Sequence, residues 1–277
     1  MDVNSGLCFL SIPPLTHAKI ISQALNENLN VFTEINLVND DYDKNMELAN
    51  KNDLILFLSS TQLYRKEINY IHKRIQEYDE KTSYIYHIGN YLPDWHPWES
   101  YKNFFVGNKK TNGIREILAI ELPWIIKVFS KVSYVHVSKA KYTALDIDYP
   151  DNFIITLEHE NGDKGALIID LVSRKPVRNL EVIGEQKYLS WDGKPTGLED
   201  FDIENQQPVN INLYDDIDTQ ENYNETVIEN AYYEEIKEFF ECIDSRKSSK
   251  HSFKEDEYVL SVIDVIESLD DNNSYKW

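Results

Sequence analysis

Residues 7–36 read LCFLSIPPLTHAKIISQALNENLNVFTEIN, and their pattern decides the fold class. Residues 7–12 are a short apolar run cut off by Pro13 and Pro14, the mark of a buried strand running into a turn. Thr16 can cap the helix that follows, whose apolar positions are Ile20, Ile21, Ala24 and Leu25. Asn26, Asn28 and Asn30 bracket its end, and residues 30–33 form the next strand candidate. The alternation continues. Asp40 or Asp41 can cap a helix containing Met46, Leu48 and Ala49, and residues 54–58 are a continuous apolar strand. Residues 63–78 carry Ile68, Ile71 and Ile75 on one helical face. Strands alternating with helices predict parallel βαβ units.

The texture then changes. Residues 83–110 are rich in aromatics, and residues 113–129 form a strongly apolar helix. Strand patterns follow at 132–140, 153–158, 165–171, 180–183 and 188–191, with Asn161-Gly162 as the best hairpin signal. Residues 198–224 are polar and acidic and read as a surface excursion. Two amphipathic helices, at about 226–243 and 254–269, close the chain. The predicted class is α/β plus α+β. A truncated Rossmann-like parallel half (1–85) precedes a domain with an open, mostly antiparallel sheet and packed helices (86–277).

Composition excludes several functions. The 277 residues carry 28 Lys and Arg against 48 Asp and Glu, a net charge of −20. That charge argues against a nucleic-acid partner, whose binding depends on cationic contacts, and against adhesion to anionic lipid. No apolar run approaches the ~20 residues of a membrane helix, and Met1 is not followed by a basic leader. Cys8 and Cys242 are far apart and form no metal or redox motif, so the expected location is a reducing cytoplasm.

Several segments together resemble the Gfo/Idh/MocA family of NAD(P)-dependent sugar oxidoreductases. Ser11-Ile12-Pro13-Pro14-Leu15-Thr16-His17 resembles its strand-end "TPP..H" loop, and Val31-Phe32-Thr33-Glu34-Ile35-Asn36 stands in the place of its "V..EKP" motif. Residues 113–124 resemble the helix after its Gly-Gly turn. The strands with Asn161-Gly162, Asp170 and Gly184-Glu185 resemble its open sheet, and residues 86–101, YHIGNYLPDWHPWESY, resemble members of bacterial surface-sugar pathways. Against that pattern the chain starts at a later strand, and a glycine-rich β-α-β unit of roughly sixty residues is missing. None of the nine glycines forms Gly-x-Gly-x-x-Gly. Ile35 replaces the family's lysine and Asn36 its proline, while the family's Asp and His fall at Ile117 and Glu121.

The resemblance implies NAD or NADP as cofactor if any is bound, with Pro13, His17 and Glu34 nearest to it. Glu121, His87 and His96 are the candidate acid or base groups, although isolated histidines also serve as hydrogen-bonded structural groups. Tyr91, Asp94, Trp95, His96, Arg115, Arg174 and Arg178 are the candidate sugar contacts. The forked guanidinium groups of Arg174 and Arg178 suit a carboxylate or phosphate. They can equally pair with Asp170 or Glu181, and the aromatic cluster can equally be core or interface.

Three functions follow. The first is a protein that has lost independent cofactor binding and acts as a subunit that binds a sugar or nucleotide-sugar, or that pairs with a full-length relative. The second is an active dehydrogenase with an abbreviated or trans-completed cofactor site. The third is a structural subunit that forms a homo-oligomer through the sheet after residue 130, the surface that family members use for assembly.

Overall fold

The computed structural model describes residues 6–96, 98–219 and 226–277. Three parallel strands, β1 (Gly6–Leu10), β2 (Leu29–Thr33) and β3 (Leu56–Leu58), stand in the order β1-β2-β3. They alternate with helices α1 (His17–Asn26), α2 (Tyr42–Lys51) and α3 (Lys66–Gln76), as the apolar spacing predicts. The helix starts differ from expectation. The Thr16 hydroxyl donates to Pro13 O (2.7 Å) and accepts from no N–H of α1, and Asp41 precedes α2 in a left-handed conformation with no side-chain cap. The Thr16 side chain bonds its local backbone instead, an alternative that competes with a cap.

The second sheet has nine strands. It comprises β4 (Ser83–Gly89), β5 (Val132–Ala140), β6 (Asn152–His159), β7 (Lys164–Asp170), β8 (Val177–Ile183), β9 (Tyr188–Trp191), β10 (Leu198–Asp202), β11 (Gln207–Asn210) and β12 (Asn273–Lys276), in the order β11-β10-β9-β8-β4-β7-β6-β5-β12. The β4–β7 pair is parallel and the rest are antiparallel. Gly162, at φ +92, makes the turn between β6 and β7. Part of the expected excursion at 198–224 is therefore sheet: β10 and β11 extend one edge, with β11 exposed throughout and β10 burying Leu198 and Asp200. Residues 220–224 of that stretch lie outside the described residues.

Helix α4 (Gly113–Phe129) lies on the inner face of this sheet, where Tyr84 stacks on Phe129 and Tyr86 meets Trp124 edge-on. Asn112 caps it by accepting from Arg115 N (2.8 Å). The chain closes with α5 (Glu229–Ser245) and α6 (Phe253–Ser268), the latter opened by a Ser252/Glu255 capping box. Phe239 of α5 is fully buried and meets Phe9, Phe32 and Phe57, one ring from each parallel strand, at 5.6 Å. The helix thus covers the small sheet from one side. The outer edge of β1 has no strand paired to it among the described residues, and Leu7 and Phe9 are exposed there. No helix of the described residues is long and apolar enough to cross a membrane.

Candidate functional site

A cleft of about 490 Å³ opens where the three parallel strands end. That is the crevice at which open α/β sheets place ligands. Ile12 and Pro14 come from the end of β1, Glu34, Ile35 and Leu37 from the end of β2, and Ser59 to Gln62 from the end of β3. The opposite wall is built by Glu116 and Ile120 of α4, Arg178 of β8, His96, Phe104 and Phe105. Thr226 to Ile228, with Ala231 and Tyr232 of α5, complete it.

Helix α4 decides which charges face the cleft. Glu116 and Ile120, one turn apart, line it. Ile117 and Glu121 point inward and are buried. The Glu121 carboxylate accepts from Tyr86 Oη (2.8 Å) and Trp124 Nε1 (2.7 Å) and pairs with Arg178 Nη2 at 2.7 Å. Glu116 has no such partners. Its Oε2 is shut off from solvent and accepts no hydrogen bond. Burial, and then the nearby Glu34 carboxylate, push its pKa up to about 8. Glu34 itself accepts from the Ser11 hydroxyl (2.7 Å).

The loop after β3 is occupied from within. The Glu235 carboxylate of α5 accepts from Ser60 N, Ser59 Oγ (3.0 Å) and Thr61 Oγ1 (2.8 Å). Burial pushes its pKa up to about 7, and these hydrogen bonds pull against that rise. Arg65 is also engaged. It donates to Glu67 through Nε and Nη2 (3.0 and 2.7 Å), and to the carbonyls of Thr226 and Gly193.

Of the residues singled out from the sequence, the structure gathers Glu34, His96 and Arg178 at the cleft. Glu121 stands behind Arg178 as its counter-ion. Pro13 is one residue outside the lining. His17 is a buried bracket, bonded to Ile12 O (2.7 Å) and to the Asn36 side chain (2.6 Å), which ties the ends of β1 and β2 together.

Arg115 lies elsewhere. It donates to Leu37 O, Glu267 and Asp264 (2.7 Å to the last), so it pins α4 to α6 and has no part in the cleft. His87 pairs with Asp170 (2.8 Å) away from the cleft. Burial raises the Asp170 carboxyl, but His87 and the donors of Val172 and Ser173 outweigh it and hold it below its ordinary range. Arg174 lies 3.6 Å over the Tyr91 ring. Trp95 donates to Asn90 O (3.2 Å), and Asp94 closes the short turn Leu92–Asp94. None of these five lines the cleft.

Sequence reading missed Glu116, Arg65 and Glu235. Glu116 had a signal, because a charge in so apolar a helix needs a purpose. Glu235 binds the loop after β3 from 175 residues away in sequence and had none.

The sequence matches no protein-family model and no curated protein. Solved structures do match. One is UDP-N-acetylglucosamine 3-dehydrogenase GnnA from Acidithiobacillus ferrooxidans, at a TM-score of 0.69 and 13% identity, over 94% of this chain and 77% of that one. Another is an oxidoreductase from Agrobacterium radiobacter in complex with NAD+, L-tartaric acid and magnesium, at 0.78 and 11%, over 99% and 81%. The aldose-aldose oxidoreductase from Caulobacter crescentus, complexed with glycerol, gives 0.74 and 11%, over 100% and 80%. The chain shares the fold of these oxidoreductases. In this fold the cleft lies between the parallel strand ends and the helix that crosses the larger sheet.

A dinucleotide would need free backbone donors and a close glycine turn for its pyrophosphate. No described residue lining the cleft is glycine. The donors of Ser59, Ser60 and Thr61 are bound to Glu235 instead. The described residues therefore do not fit a pyrophosphate.

Proposed function

We propose that this protein is a Gfo/Idh/MocA-type member of bacterial surface-sugar metabolism that binds a sugar in the cleft and holds no dinucleotide by itself. The observation that carries this reading is Glu235: a carboxylate already fills the donor nest at the end of β3. An incoming phosphate would meet a buried acid there instead of free N–H groups. Ile35, which lines the cleft where the resemblance expects a lysine, supports the same reading because it can neither donate nor accept a proton. The cleft's size and its mixture of aromatic and polar walls suit a monosaccharide.

Calorimetric titration of the purified chain tests this reading. NADH and NADPH are expected to give no saturable binding up to millimolar concentration, while at least one hexose derivative saturates. Tight binding of either dinucleotide would overturn it in favour of an active dehydrogenase.

The outward face of the nine-stranded sheet presents Ile85, Ile154, Ile183 and Tyr188 to solvent. Such a face calls for a partner, and we propose that a second copy of this chain covers it. Gel filtration with light scattering should give a dimer or tetramer across a range of concentrations. A strict monomer would remove the proposal.

A further inference from the structure

We propose that the ligand of this cleft is an amino sugar, a polyol bearing a protonated amine, and that Glu116 and Glu34 receive its ammonium group. The inference rests on the sugar-binding reading above and adds the charge of the ligand to it. Three observations carry it.

The first is the charge balance. The two cleft arginines are already neutralised, Arg65 by Glu67 and Arg178 by Glu121. What remains facing the ligand is the carboxylate of Glu34 and the ionisable carboxyl of Glu116, in a protein of net charge −20 whose field concentrates cations. The second is Glu116 Oε2, sealed from solvent without a donor. A buried acceptor left unmet is costly, and a ligand N–H relieves that cost. An ammonium does so better than a hydroxyl, because charge-assisted hydrogen bonds are about twice as strong and a second carboxylate lies close by. The third is the aromatic wall. His96 packs on Phe104 (4.3 Å), and Phe104 on Phe105 (4.2 Å), which offers ring faces to sugar C–H groups and to a cation.

The groups that interact electrostatically with Glu116 are Glu34 after β2 and Tyr149 before β6, and Arg178 on β8, Arg65, His96 and Tyr232 line the same cleft. The raised pKa of Glu116 sets the proton count. Glu116 holds its proton near neutrality, so capture of an ammonium expels it. A neutral hydroxyl leaves it in place.

Titrate the full chain at pH 7 with glucose, glucosamine, glucuronate and UDP-N-acetylglucosamine, each in two buffers of different ionisation enthalpy. Glucosamine should bind about tenfold tighter than glucose and glucuronate more weakly than either. Glucosamine alone should release close to one proton. Glu116→Gln should abolish both the preference for the amine and the proton release; the buffer comparison uses the unaltered chain and stands whether or not that variant folds. Equal binding of glucose and glucosamine, or tighter binding of glucuronate, overturns the amine assignment and leaves the sugar reading intact. If none of the four binds, the sugar reading itself fails, and this inference with it.

Discussion

Replacing Glu121 with alanine should destabilise the protein by about 3–5 kcal/mol, the range for breaking a buried ion pair from one side. The residue is fully buried, and its carboxylate serves three groups at once: Tyr86 Oη, Trp124 Nε1 and Arg178. Alanine leaves all three without their acceptor, and two of them belong to core aromatics that are themselves fully buried. At roughly 2–4 °C per kcal/mol for a chain somewhat shorter than this one, the melting temperature should fall by about 10 °C. Glu121→Gln should cost about half as much. Its amide oxygen still accepts from Tyr86 and Trp124, and Arg178, which keeps some exposure toward the cleft, can turn to water. A double variant, Glu121→Met with Arg178→Met, should be milder than the sum of the two singles, because it removes both charges together. Urea melts of the unaltered protein, the two Glu121 variants, the double variant and its two methionine singles measure this. A loss below about 1 kcal/mol for Glu121→Ala would mean that the pair is solvated and that the cleft arginine is not tied down.

The sequence made the layers legible because they rest on local periodicity. Residues 7–76 alternate runs such as 7–12 with helical faces such as Ile68, Ile71 and Ile75, and all three of those isoleucines are buried. Asn161-Gly162 marked its turn because the left-handed backbone there suits glycine. The motifs Ser11–His17 and Val31–Asn36 pointed to the fold that the solved structures share, and Glu34 does reach the cleft. What stayed hidden depends on contacts distant in sequence. Arg115 looked like a ligand contact because it is a charge in an apolar helix, yet it is satisfied by α6, about 150 residues later. The register of α4 against the sheet decides that Glu116 and not Glu121 faces the cleft. Periodicity gives the spacing of such residues but not the phase of the helix against its partners. Strand β11 was missed for the opposite reason: an edge strand exposed on both faces carries no alternation to read, and in β10 the buried alternate positions include the acid Asp200, which hides its pattern.

Stability should fall as pH rises from about 5 to above 8, and Glu116 should supply much of that fall. Its carboxyl ionises near 8 in the fold against 4.5 in the free state. Below about 4.5 both states hold the proton and nothing is lost. Between the two values the unfolded chain releases its proton while the folded chain keeps it, so the fold is penalised by up to ~1.4 kcal/mol per pH unit. Glu235 adds a parallel loss over the narrower window from 4.5 to about 7. Asp170 acts in the opposite sense, since its carboxyl is held low and its contribution disappears only on acidification. The Glu116→Gln variant isolates the main term. Glutamine has nearly the same shape and carries no charge to desolvate, so it should be more stable than the unaltered protein at pH 8.5, by about 3 kcal/mol once partial exposure is allowed for. The gap should close by pH 5, where the glutamate is protonated as well. Thermal melts of both proteins from pH 4.5 to 9 provide the measurement. Parallel curves would place the Glu116 carboxyl in contact with water, and a variant less stable at every pH would mean that the unmet Oε2 has a donor that glutamine cannot satisfy.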